Sequence, residues 1–147
     1  MKPPSPRLAV RALILHEGRL LLVNAYAGRS DLWCAPGGGV ERGVSLPDNL
    51  IREVHEETGL TVTVGEPCLV NEFHDPRSTF HQVDVYFRCH IAGGRLDPGW
   101  CDPEGVVTDR CFFTRAGLRA IRYKPDSLPE AAWGGSVLYD PLEPILR

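Results

Sequence analysis

Glu53, Glu56 and Glu57 are three and four residues apart, a spacing that gathers carboxylates on one arc of a helix. Like charges placed so cost about 0.2–0.5 kcal/mol per pair. Glu56 and Glu57 also fall near the end of the predicted helix, where the macrodipole disfavours anions. Arg52, four residues before Glu56, offers the only local relief. Such an arrangement makes sense around a cation. Hard oxygen ligands suit Mg²⁺ or Mn²⁺, ions that usually also bind substrate phosphates. A solvated acidic helix face is the plain alternative. A zinc-protease reading of His55-Glu56 fails, because Gly59 stands where the second histidine is needed.

The surrounding residues predict how these groups are held. Ser45 reads as an N-cap with Asp48 as its partner, and Pro47 is tolerated in the first turn. The helix is expected to run to Thr58, with Gly59 ending it in a left-handed cap. Leu50, Ile51, Val54 and Thr58 form the face turned to the core. Before the helix, Pro36 leads into Gly37, Gly38 and Gly39, read as a loop whose bare backbone approaches a metal or phosphate.

The stretch from Gly38 to Leu60 resembles the Nudix box, the signature of the Nudix hydrolases. The match is carried by Gly38, Arg52-Glu53-Val54, Glu56-Glu57 and Gly59-Leu60, and the flanking Trp33-Cys34-Ala35-Pro36-Gly37 is similar too. The resemblance implies an α/β/α sandwich with a mixed sheet. It implies Glu53, Glu56 and Glu57 as ligands of Mg²⁺ or Mn²⁺, with the Gly37 carbonyl as a further donor and Arg52 orienting Glu53. Family members often add a loop acid before the last strand. Glu104 is the candidate, as ligand or general base, with Asp102 as its substitute. Gly38, Gly39 and Arg77 are candidate substrate contacts. The activity implied is cleavage of a phosphoanhydride in a nucleoside diphosphate linked to another group, such as ADP-ribose or a nucleotide sugar, and Pro76 tilts toward the former. A nucleoside triphosphate pyrophosphohydrolase and a weakened nucleotide-binding module are the alternatives. One position departs: the family usually has a glutamate where this chain has Val44. A valine cannot pair with Arg52, so a less well fixed arginine and a slow enzyme are expected, with Val44→Glu raising kcat. Dimers are common in the family, so a homodimer is admitted.

Length and composition agree with one domain spanning 1–147, with 1–6 as an extended, flexible lead-in. The chain has 147 residues, of which 43% are hydrophobic and 24% charged. That is enough to bury roughly two-thirds of the unfolded surface. A net charge of −3 without a basic block argues against a nucleic-acid polymer as partner. Apolar runs are too short for a membrane helix, and no apolar core follows Lys2 to make a signal peptide. Cys34, Cys68, Cys89, Cys101 and Cys111 form no Cys-x-x-Cys pair, which fits a reducing cytoplasm.

Elsewhere strands are predicted over Arg7–Leu15, Arg19–Asn24, Leu32–Ala35, Leu60–Val64, Cys68–Phe73, Phe80–Ile91 and Val106–Phe113. Glu17-Gly18 is a hairpin turn, and Ala25–Asp31 a polar loop. Short helices are expected at Arg115–Ile121 and Leu128–Trp133, before a tail broken by prolines. Trp33, Phe73, Phe80, Tyr86 and Trp100 are either core or base-stacking aromatics.

Overall fold

The computed structural model describes residues 2–147. Residues 2–6 form no element, and Met1 lies outside the described residues. The strands are β1 Arg7–His16, β2 Arg19–Tyr26, β3 Arg29–Cys34, β4 Gly37–Gly39, β5 Thr61–His74, β6 His81–Gly93, β7 Arg110–Phe113 and β8 Leu138–Pro144. The helices are α1 Leu46–Thr58 and α2 Leu128–Trp133, with a 3-10 turn at Ala116–Ala120.

The sheet runs β3-β2-β1-β6-β5-β8, with β4 added to β1 and β7 to β2. It is mixed: β1 pairs parallel with β6, and β5 parallel with β8, while the hairpins are antiparallel. The two faces of β1 explain the layering. Val10, Ala12 and Ile14 pack under Leu50 and Val54 of α1. Leu13, of opposite phase, meets Tyr86, Leu118 and Leu128 on the other face. Helical structure therefore covers both faces, and the α/β/α sandwich follows.

Helix α1 keeps its expected bounds. Ser45 Oγ accepts from Asp48 N at 3.1 Å, and Gly59 adopts φ 76° with its N–H on the His55 carbonyl. Leu50, Val54 and Thr58 are fully buried, and Ile51 packs at the edge of that core.

Four expectations change. Gly37–Gly39 is a strand, not a loop: it pairs with Ala9–Arg11. Residues 25–31 are mostly strand, because β2 and β3 extend toward each other as a hairpin. The two segments around Gly65 are one strand, β5, irregular between Val64 and Leu69. Pro67 has no N–H for the ladder, and a Cβ on Gly65 would lie 2.9 Å from the Arg88 carbonyl oxygen, so the strand bulges there. The proline-containing tail is β8, an edge strand that tolerates Pro141 where its register shifts. Two elements are also shorter than read: β7 starts at Arg110, and the helix after Thr114 is a single 3-10 turn.

Candidate active site

Helix α1 lies over β4 so that Glu53 and Glu57 point at the glycines rather than at water. They are 7% and 9% exposed, which an acidic helix arc did not foretell. Gly37 is required by a close approach of backbone, and Gly38 and Gly39 lie beneath the ends of side chains. A Cβ on Gly37 would run into the Val10 carbonyl, one on Gly38 would sit 2.6 Å from the Glu53 carboxylate, and one on Gly39 would strike the Arg7 guanidinium.

The three carboxylates are held differently. Glu57 Oε1 accepts from the Gly37 amide at 2.8 Å. Burial pushes its pKa up to about 8, against the opposing pull of nearby Arg11 and the Gly37 amide. Burial also raises Glu53, with Arg52 pulling the other way. Arg52 spans Glu53 at 3.1 Å and Glu56 at 3.3 Å. Among the described residues no three acid, imidazole or thiol groups already enclose an ion. The donor chemistry nevertheless fits one: hard oxygens on successive turns, one of them, Glu57, a buried carboxyl with no direct salt bridge.

The cleft is lined by Arg7, Arg11, the three glycines, Glu41, Arg52, Glu53, Glu57 and Glu104. Glu104 is thus beside the cluster, on an exposed loop. Asp102 instead shapes that loop, its two oxygens accepting from the Glu104 and Val107 amides at 3.0 and 2.9 Å. Arg77 is exposed on the β5–β6 turn and lines no part of the cleft. Trp33 is core, edge-on to Phe113 at 5.1 Å, and Tyr86 is 2% exposed. Trp100 caps the helix end, its indole N–H donating to the Glu56 carbonyl at 2.9 Å.

Several residues went unread in the sequence. Arg110 Nε donates to the Glu57 carbonyl, placing a cation at the C-terminal end of α1 where the dipole favours one. Asn24, 1% exposed, donates to the Tyr26 and Val106 carbonyls and accepts from the Thr108 and Asp109 amides, tying the Glu104 loop to β2. On β1 and β6 a polar chain runs from the exposed Arg7 to the buried Gln82 and Asp84. Arg7 donates to Gln82 at 2.8 Å, Gln82 to Asp84 at 2.7 Å, and Asp84 faces Arg11 at 3.4 Å. Arg11 then reaches the Ala35 carbonyl at 3.2 Å. The signal was two polar residues in phase on each strand. It becomes readable only once β1 and β6 are known to pair.

Val44 does not leave Arg52 without partners. Val44 is 40% exposed, and Glu41 takes the arginine at 3.6 Å. Asn49, fully buried, braces the loop: its Oδ1 accepts from Glu41 N at 2.9 Å and Arg52 at 3.3 Å, and its Nδ2 donates to the Val44 and Ser45 carbonyls at 3.0 and 2.8 Å. Val44→Glu should therefore leave kcat unchanged and move stability by no more than about 0.5 kcal/mol. Asn49→Ala strands buried polar groups and should cost about 1–3 kcal/mol, with slower turnover from a shifted loop. Melting curves and kcat on the two variants check this. A larger gain from Val44→Glu than loss from Asn49→Ala would mean that Arg52 does need a carboxylate at that position.

Sandwich, glycine strand and carboxylate helix together are those of the Nudix class. The NUDIX domain model matches residues 5–133, and the chain belongs to that family. Among similar proteins, the ADP-ribose pyrophosphatase of Methanocaldococcus jannaschii is 31% identical over 98 residues, 64% of this chain and 56% of that one. The CTP pyrophosphohydrolase of Escherichia coli is 41% identical over 59 residues, 39% and 44% of the two chains. The chain spans about half the length of the first of these curated relatives. The fold is shared with a UDP-X diphosphatase at TM-score 0.73 and 22% identity, covering 95% of this chain and 70% of that one. An ADP-ribose pyrophosphatase from Streptococcus suis superposes at 0.67 with 24% identity, covering 95% and 100%. Among the described residues no helix is long and apolar enough to cross a membrane.

Proposed function

We propose that the protein is a metal-dependent hydrolase that cleaves the phosphoanhydride of a nucleoside diphosphate linked to another group, of the ADP-ribose or nucleotide-sugar type. The observation that carries this reading is the pair of buried carboxylates, Glu53 and Glu57, pressed against bare glycine backbone. Glu53, Glu56 and Glu57, with the Gly37 carbonyl and Glu104, would hold Mg²⁺ or Mn²⁺. That ion, when bound, neutralises phosphate charge and acidifies water. Arg52 orients Glu53 and Glu56. Gly38 and Gly39 let a phosphate approach the backbone, and Arg7 stands over Gly39 as a cation for it. Glu104, on the wall of the cleft, is the candidate to accept a proton from an attacking water. Product analysis tests the reading. Nucleoside monophosphate plus a phosphosugar supports it, whereas monophosphate plus pyrophosphate from a triphosphate supports the pool-cleansing alternative, which the likeness to the CTP enzyme favours. The partners that Arg52 keeps without a carboxylate at Val44 support an active enzyme over the weakened-module alternative.

Five free cysteines fit the cytoplasm we infer. A homodimer of the kind common in the family is checked by light scattering.

The metal reading has a readout that needs no substrate. Glu57 carries a folded pKa of about 8, above its ordinary 4.5. Its contribution to stability is therefore fully present below about pH 4.5 and is lost as pH rises through about 8. Without divalent ion the melting temperature should fall over that window. Millimolar Mg²⁺ or Mn²⁺ at pH 8 should restore it, since the ion binds the folded cluster and not the unfolded chain. A melting curve indifferent to the metal titration would count heavily against the site.

A further inference from the structure

Glu104 sits in the loop between β6 and β7, residues 94–109, which contains no helix or strand. Loops of this length without elements of their own are uncommon and usually functional. Where its acid stands depends on what anchors the loop. Asn24 ties its far end to β2, as described above. Two further side chains, Trp100 and Arg110, tie it to the end of α1.

Trp100 Nε1 donates to the Glu56 carbonyl at 2.9 Å. Its ring meets His55 edge-on, with centroids 5.2 Å apart, and lies over Gly59, where a Cβ would come within 2.9 Å of it. Arg110 Nε donates to the Glu57 carbonyl, and its Nη2 donates to the Val107 carbonyl at 3.1 Å. One guanidinium fork thus bridges helix and loop. Both helix acceptors belong to the last turn of α1, whose carbonyls a helix leaves without partners. They are also the carbonyls of two residues whose side chains belong to the acidic cluster. Capping alone does not account for this pair. A cap needs neither the stacking of the indole on His55 and Gly59 nor the second bond from Arg110 to Val107.

Between the two anchors the chain is stiff. Asp102 accepts from the Glu104 and Val107 amides, and its carbonyl accepts from Gly105 N at 2.9 Å. Glu104 is therefore carried on a closed turn with Trp100 before it and Val107 after it, and each side is bonded to the end of α1. Glu53, Glu57 and Glu104 line one cleft. We infer that Trp100 and Arg110 are positioning residues of the hydrolytic reaction, fixing the Glu104 turn to the end of α1 so that the loop acid and the helix carboxylates keep one relative placement. The inference rests on the nucleotide-hydrolase reading above and deepens it.

Trp100→Phe, Arg110→Met and Arg110→Lys, each alone and combined with Glu104→Gln, test it. Phenylalanine keeps a ring over Gly59 and loses the N–H. Lysine keeps a cation at the helix end, but its single ammonium does not reproduce the fork. Glu104→Gln itself should be slower than the wild type by about tenfold or more. In the wild-type background each of the three should lower kcat by roughly tenfold, with KM changed by less than about twofold. In the Glu104→Gln background the same substitutions should change kcat by less than about twofold, because the group they place is already gone. Lysine should not rescue kcat. Hydrogen exchange on the metal-free protein reads the clamp without turnover. The Gly105 and Val107 amides should exchange about tenfold faster or more in Trp100→Phe and Arg110→Lys, while those of Leu50 and Val54 in α1 stay as in the wild type. Trp100→Phe, the mildest change, carries the test if the Arg110 variants do not fold.

Equal losses of kcat in the two backgrounds, full rescue by lysine, or unchanged exchange of the turn would overturn the inference, leaving both residues as stabilisers of the helix end. A Glu104→Gln protein as fast as the wild type would overturn it too, since the turn would then hold nothing that acts. Faster exchange in variants of a protein that hydrolyses no nucleotide derivative would instead overturn the hydrolase reading and leave the clamp standing.

Discussion

Glu57→Gln is expected to yield a folded protein whose hydrolysis is slower by roughly a hundred- to ten-thousand-fold. The substitution keeps an oxygen to accept the Gly37 amide and removes the charge that burial opposes. Two effects of opposite sign follow. Turnover collapses because a donor for the ion or the water is gone. Stability without divalent ion holds at pH 8, because the acid whose ionisation disfavours the fold is absent. The pH dependence of the melting temperature between about 4.5 and 8 should flatten in the same variant. Rate assays with a metal series, beside melting curves at several pH values, separate these effects. If Glu57→Gln hydrolyses as fast as the wild type, Glu57 has no part in the chemistry.

Asp84→Ala should produce the largest loss of stability in the molecule, about 3–5 kcal/mol, because it breaks a buried pair and strands Arg11. Asp84 is 2% exposed, with Arg11 at 3.4 Å and Gln82 at 2.7 Å. Against a typical total of about 5–15 kcal/mol for a domain, this is a large fraction. Asp84→Asn keeps an acceptor for both neighbours and should cost less. Urea unfolding measures the difference. A loss under about 1 kcal/mol for the alanine variant would mean that Arg11 turns to another acid, for which Glu57 is the nearest choice on the same side.

How far the sequence could carry the site depends on how local each signal is. The ends of α1 are written in Ser45, Pro47 and Gly59, each acting on its own turn, and all three were readable. The strand character of Gly37–Gly39 was not. Glycine has little β preference, and what makes it necessary at Gly37 is the approach of the Val10 backbone, distant in the chain. The burial of Glu53 and Glu57 was hidden for the same reason, since the wheel places them beside the core face and only β4 covers them. Arg7, Arg11, Gln82 and Asp84 alternate in phase like a solvent face. Their linkage, with Gln82 and Asp84 buried, follows from the parallel pairing of β1 with β6, which no local pattern encodes. Edge strand β8 was masked by Pro141 and Pro144. Arg77 was favoured by its loop position, and the turn it occupies points elsewhere. Asn49 and Glu41, which the motif does not include, contact Arg52 and the loop beside Val44, and only the packed loop brings them there.

The place of β8 at the rim of the sheet has a consequence for association between chains. It pairs parallel with β5, from Leu69↔Leu138 to His74↔Pro144, and has no strand beyond it. A product ending before Leu138 would leave β5 as the rim, its backbone N–H and C=O groups unpaired, and such an edge is a template for a strand of another chain. The short, proline-bearing strand therefore also serves as a cover against aggregation.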